Sequence, residues 1–270
     1  MGILKNFVNN NSYTGPSDVE PNFCEYSEIF GKSPALVSCD LKFMEMLPSP
    51  IYSCCLKVQM DVFVQPELPT LISESEASYI AMVRSTISEH IGGRFVGQGV
   101  IGSSGTAFLM YYIPERSAQY AKKMLTEVFM GSFRHVETDV VPDPEGKQYK
   151  KYLYPNELQL KESNNVRILK QLKTYGDDGS KPRPVRFDFI FASKNMALAF
   201  YSDSMAKGFE YKDLVQIPAE EGMVLPRYKL TLVKTIPFNL DLLEMVDNYL
   251  LGLAAKHDGE YKNIETDIVD

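Results

Sequence analysis

Val185-Arg186-Phe187-Asp188-Phe189-Ile190-Phe191 sets Val185 and three phenylalanines in strict alternation with Arg186, Asp188 and Ile190. A period of two sends successive side chains to opposite faces of a strand, so one row packs on a core. Outward from this strand, residues 194–207 read as a helix closed by Gly208, a residue free to take the left-handed conformation that ends helices. Strands follow at 209–217 and 227–236. Leu242, Val246, Tyr249 or Leu250, and Leu253 then mark an amphipathic helix, and 260–269 is a last strand. The order is β-α-β-β-α-β.

The same order is legible earlier. Leu56, Val58, Met60, Val62 and Val64 alternate as a strand, and Ser73 with Glu76 forms a capping box opening a helix that ends at Gly92-Gly93. Strands at 94–101 and 106–113, a helix from Pro114 carrying Ala118, Ala121, Met124 or Leu125, and Val128, and a strand at 135–141 complete the set. A hairpin is expected before it, at 23–28 and 35–43. Right-handed crossovers turn each set into a split βαβ sheet with both helices on one face; the other face is free unless something else covers it, and free faces in a two-domain chain are expected to meet each other or a second protomer. The fold class is therefore α+β, with two tandem ferredoxin-like units. Residues 1–21 read as a flexible arm, 22–155 as one domain and 156–270 as another. The linker at 143–155 carries Tyr149, Tyr152 and Tyr154, expected to pack between the domains.

Composition bounds the function. With 28 Lys+Arg against 35 Asp+Glu the chain carries −7, a poor match for nucleic-acid phosphates, whose binding depends on Lys and Arg displacing counterions. The 270 residues are enough to bury a core without crosslinks, and Cys24, Cys39, Cys54 and Cys55 contain no CxxC pair, so reduced thiols in a reducing compartment are expected. Cys54 and Cys55, being adjacent in a strand, point to opposite faces. The amino terminus has no apolar core followed by a small-residue cleavage site, and no apolar run approaches about 20 residues, so a cytoplasmic protein away from membranes is expected.

Chemistry-bearing motifs are sparse. His90, His135 and His257 are isolated, with no HExxH or paired metal-ligand spacing, so neither metal nor other cofactor is expected. Gly97-Gln98-Gly99-Val100-Ile101-Gly102 reads GxGxxG but feeds a strand, which offers no helix amino terminus to a pyrophosphate. Phe187, Phe189 and Phe191 lack the pattern of base-stacking sheets and read as core. Asp177 and Asp178, with Arg183, form either a solvated turn or a site for a cation or basic group. Asp258, Glu260, Glu265, Asp267 and Asp270 meet only Lys262 in opposition, with Tyr261 and Ile264 between them. Such a stripe is either a wet edge that discourages aggregation or a surface that receives a partner's arginines.

Residues 168–194, ILKQLKTYGDDGSKPRPVRFDFIFASK, with KGFEY and LLGLAAKHDGEYKNIETDI, resemble the regulator of ribonuclease activity B family. Gly176, Asp177, Arg183, Val185, Gly208, Phe209, Gly259, Tyr261 and Thr266 stand at its motif positions; Phe187 replaces a frequent His, and Lys262-Asn263-Ile264 the usual Asp-Gly-Trp. FVGQGVIGSSGTAFLMYY and DPEGKQYKKYLYP are similar to a domain that precedes that fold in bacterial proteins, with Tyr149 in the place of a tryptophan. The resemblance implies a ferredoxin-like carboxyl domain and non-enzymatic binding to an endoribonuclease.

The expectation is thus a cytoplasmic bacterial binding protein, not an enzyme, meeting a basic protein segment through Asp177, Asp178, Arg183, Asp258, Glu260, Tyr261, Glu265 and Asp267. Direct nucleic-acid binding is disfavoured, and oligomers are compatible with the free sheet faces. The alternative is a small-molecule or hydrolytic enzyme with a site between the domains, near Tyr149, Tyr152, Arg183 and Asp177.

Overall fold

A computed structural model describes residues 19–65, 68–102, 104–129, 134–218 and 226–269, with 64, 65 and 68–71 described by backbone alone. The expected arm lies outside the described residues up to residue 18, and so does Asp270 of the acidic stripe. The chain is α+β and divides after Pro155 into two compact units.

In the amino-terminal unit, β1 (Phe23–Phe30) and β2 (Ser33–Asp40) form a hairpin around Gly31, whose φ of 69° favours glycine. The hairpin does not stand apart. It joins β3 (Cys54–Asp61), β6 (Arg94–Ile101), β7 (Thr106–Ile113) and β8 (Val136–Pro142) in one antiparallel sheet of order β1-β2-β6-β7-β3-β8. Two short strands, β4 (Val64–Gln65) and β5 (Leu68–Ile72), pair with each other ahead of α1 (Glu74–Ile91). That helix and α2 (Glu115–Phe129) cover one sheet face, where Leu56, Val58, Leu109 and Tyr111 meet Ile80, Val83, Ile87, Ala121 and Leu125.

Three expectations need correction here. The opposite face is not free: a 3-10 helix (Leu41–Met46) and α3 (Lys147–Tyr152) seal it, and Phe43, Tyr149 and Leu153 pack on Val37, Cys39, Cys55, Phe108 and Tyr112. The stretch read as a linker therefore belongs to this unit's core. Tyr149 is fully buried in this unit, donates its hydroxyl to the Asp40 carbonyl at 2.8 Å and sits edge-on to Phe43 at 5.1 Å. The capping box forms only by half. Ser73 caps the Glu76 amide, but the Glu76 carboxylate pairs with Arg134 and accepts from the Phe63 amide instead. GxGxxG has a packing reason as well. A side chain on Gly99 would collide with the Phe108 ring and one on Gly97 with the Ser38 carbonyl of the neighbouring strand.

The carboxyl-terminal unit opens with α4 (Glu157–Thr174), whose reciprocal capping box joins Asn156 and Gln159 at 2.9 and 2.8 Å. Then come β9 (Arg183–Phe191), α5 (Lys194–Met205), β10 (Glu210–Ile217), β11 (Arg227–Ile236), α6 (Leu240–Lys256) and β12 (Gly259–Thr266). The sheet is antiparallel, of order β10-β11-β9-β12. Phe187, Phe189 and Phe191 are fully buried beneath α5 and α6, with Phe189 4.5 Å from Phe200 and 4.9 Å from Tyr261 between ring centres. Fully burying such a ring contributes about 1.5–3 kcal/mol. Ile168, Leu169 and Leu172 bring α4 onto the same core.

Candidate functional site

Strand register decides which side chains share the sheet face away from that core. Glu260 stands beside Ile190 and Lys229, Asn263 beside Asp188 and Thr231, and Glu265 beside Arg186 and Val233. A bulge at Lys262 restores the alternation, so Tyr261 and Ile264 both face inward although three residues apart. The acids are not opposed by Lys262 alone, which corrects the sequence expectation. Arg186 holds Asp267 with two bonds of 2.8 Å and approaches Glu265 at 3.7 Å, while Arg227 and Lys262 both pair with Glu260. Asp188 is buried and accepts from Thr231 at 2.7 Å and Lys229 at 2.8 Å. Arg186 therefore holds the Asp267 carboxyl below its ordinary pKa, and Lys262 with Arg227 does the same to Glu260. The outer carboxylates remain wet: the Glu260, Glu265 and Asp267 side chains are 45%, 57% and 63% exposed.

Of the remaining sequence candidates, Asp178 and Asp258 are exposed. Asp178 caps the Ser180 amide at 2.9 Å, and Asp258 turns the chain from α6 into β12 with φ 51°. The two ends of β12 are roughly 25 Å apart at the ordinary strand rise, so Asp258 and Asp267 do not meet in one cluster. Asp177, Arg183 and Tyr261 are buried, which corrects their reading as surface contacts. The Arg183 guanidinium grips both oxygens of Asp177, one at 2.8 Å, and reaches the Asp267 carbonyl at 3.3 Å. The amides of Gly179 and Val269 each donate to Asp177 at 2.9 Å. This pair staples the α4–β9 turn to the chain beyond β12, and Arg183 keeps the Asp177 carboxyl far below the usual range.

A second buried polar cluster escaped the sequence reading. Asp247 of α6 accepts from Tyr261 and Asn165, each at 2.6 Å, and the Asn165 Oδ1 has no hydrogen-bond partner among the described residues. Lys161 of α4 lies 3.8 Å from the Tyr261 ring centre and donates to the carbonyls of Tyr261 (2.8 Å) and Lys262 (3.1 Å) along the β12 edge. Burial raises the Asp247 pKa and pushes that of Lys161 down to about 8. The signal was present. Leu243, Asp247, Leu250 and Ala254 lie on one face of α6, so an acid interrupts an apolar stripe. A lysine whose pKa falls on folding loses stability in its charged form. Stability should rise as pH goes from about 8 toward the ordinary value near 10.4, and urea titrations across that window should lose this rise in Lys161→Met.

Of the residues offered for a site between domains, Tyr149 is in the first unit's core with Tyr152 packed against it, and Asp177 with Arg183 forms the staple. The histidines stay dispersed, bonded to Thr86, Glu137 and Asp203 respectively. Among the described residues no group of three His, Cys, Asp or Glu is placed to hold a metal, and no helix is long and apolar enough to cross a membrane.

A search of curated proteins finds no match. Among solved structures, the crystal structure of an unknown protein from Galdieria sulphuraria aligns with 80% of this chain and 99% of its own at 9% identity and a TM-score of 0.23, which carries no weight for the fold. A scan against protein families matches residues 162–266 with the family described as Regulator of ribonuclease activity B. From within α4 to the last residue of β12, the carboxyl-terminal unit is therefore similar to the regulators of ribonuclease activity B.

Proposed function

We propose that this chain is a non-catalytic, cytoplasmic binding protein whose carboxyl-terminal unit contacts an endoribonuclease of RNA decay and modulates its activity. The observation that carries this reading is the family similarity over residues 162–266. Both units are read as ferredoxin-like, on the strength of the strand orders given above, with the second one presenting the β9–β11–β12 face to a basic protein segment. Glu260, Glu265 and Asp267 make the contact there, and Asp178 and Asp258 extend the acidic margin. Asp177, Arg183 and Tyr261 act from beneath, fixing the backbone that carries them.

The existing ion pairs do not preclude this use. A carboxylate has about four acceptor sites, and the carboxylate side of each pair stays open to water although the Arg186 and Arg227 side chains are largely covered. An incoming arginine can share these carboxylates with Arg186 and Arg227 without displacing them. In a pull-down with the host endoribonuclease, the triple variant Glu260→Lys, Glu265→Lys, Asp267→Lys should weaken capture by roughly tenfold or more, about 1.4 kcal/mol, and flatten its salt dependence. Capture unchanged by the triple reversal would remove this face from the interface.

A further inference from the structure

Four thiols are buried, yet two of them face each other. Cys24 on β1 and Cys39 on β2 are direct cross-strand partners, both free. Their pair type follows from the hairpin. Pro34 has no N–H, so its pair with Ile29 is non-hydrogen-bonded, and strict alternation makes Cys24–Cys39 a hydrogen-bonded pair. Such pairs hold their Cα atoms about 5.5 Å apart, inside the disulfide range of about 4.4–6.8 Å. The facing Cys39 side chain lowers the Cys24 pKa. β1 is the edge strand of its sheet, and Cys24 keeps 8% exposure while Cys39 has none. Cys54 and Cys55 have no such geometry, since consecutive strand residues point to opposite faces.

We infer that Cys24 and Cys39 are a reversible thiol–disulfide site, closed by exchange with a small disulfide such as glutathione disulfide. The Cys24 thiolate attacks one glutathione sulfur, forming a mixed disulfide and releasing one glutathione. The Cys39 sulfur then attacks the Cys24 sulfur, breaking that bond and releasing the second. Two protein thiols are oxidised by two electrons, glutathione disulfide is reduced by the same two, and the two cysteine protons end on the released thiols. Cys24 is the entry point because Cys39 is sealed behind it, where burial raises its pKa and its sulfur lies 3.5 Å from the Tyr149 hydroxyl. The product ties the outermost hairpin of the six-stranded sheet across its open end.

The test uses the full reduced chain and glutathione disulfide, followed by alkylation in denaturant, trypsin and non-reducing mass spectrometry. Cleavage at Lys5, Lys32, Lys42 and Lys57 puts Cys24, Cys39 and the Cys54–Cys55 pair in three separate peptides. The folded chain should lose two of its four alkylatable thiols. The 24–39 link should exceed every other pairing at least tenfold, and disappear in Cys24→Ser while persisting in the Cys54→Ser, Cys55→Ser double variant. Four alkylated cysteines, glutathione left on Cys24 alone, or the same mixture of links from folded and urea-unfolded chain would each overturn the assignment. The wild-type result alone decides between these outcomes should a variant fail to fold.

Discussion

Arg183→Met should destabilise the carboxyl-terminal unit by about 3–5 kcal/mol, because it leaves the Asp177 carboxylate buried and without its counter-ion. Urea unfolding, with hydrogen exchange across β9 and β12, measures it. Removing both charges together, in Asp177→Asn with Arg183→Met, should recover most of the loss, since the penalty belongs to the unpaired charge more than to the missing bond. The acid limb follows from the same pair. Asp177 has a folded pKa depressed by Arg183, so its contribution is complete above the ordinary carboxyl range near 3.9 and drains away as pH falls from there toward the lower folded value. If Arg183→Met unfolded at the wild-type urea midpoint, the staple would be ornamental, and the site would return to being a candidate for ligand binding.

Tyr149→Ala should cost about 3–5 kcal/mol in the amino-terminal unit, as an emptied aromatic site in a packed core does. The ring fills the space between Phe43, Tyr112 and the hairpin, and its hydroxyl ties α3 to the Asp40 carbonyl. The neighbouring contacts act together: Tyr112 donates to Asp143 at 2.5 Å, and Asp143 caps the Lys147 and Gln148 amides of α3 at 2.8 Å. Tyr149→Phe keeps the ring and should lose only about 1 kcal/mol with the hydroxyl. Exchange protection that fell nowhere in β1, β2 and β7 of the alanine variant would place this ring outside the core.

What the sequence made legible was whatever depends on neighbours in the chain. Phe187, Phe189 and Phe191 announced a buried strand face because the period of two is local, and Ser73, Gly92 and Gly208 marked helix ends by local stereochemistry. What it concealed depends on residues brought together across long separations. Glu260, Glu265 and Asp267 read as an unopposed stripe because their partners Arg186 and Arg227 lie 33 to 81 positions upstream, and only strand register sets them alongside. The aromatic run at Tyr149 looked like a domain junction since nothing local says that α3 folds back onto the sheet to seal its second face. Glu76 sat at the capping position, yet Arg134 took its carboxylate. The Asp247 cluster was half visible, as an acid inside an apolar stripe, but its partners Asn165 and Tyr261 come from a helix before the sheet and the last strand after it.

The central claim is that the carboxyl-terminal unit works by occupying another protein. Cleavage of a defined RNA by the purified host endoribonuclease, followed while the full chain is titrated in at low salt, addresses it most directly. A saturable fall in rate is predicted, lost on adding salt and absent with the Glu260, Glu265, Asp267 triple reversal. An unchanged rate with no complex detectable in the same solution would contradict it.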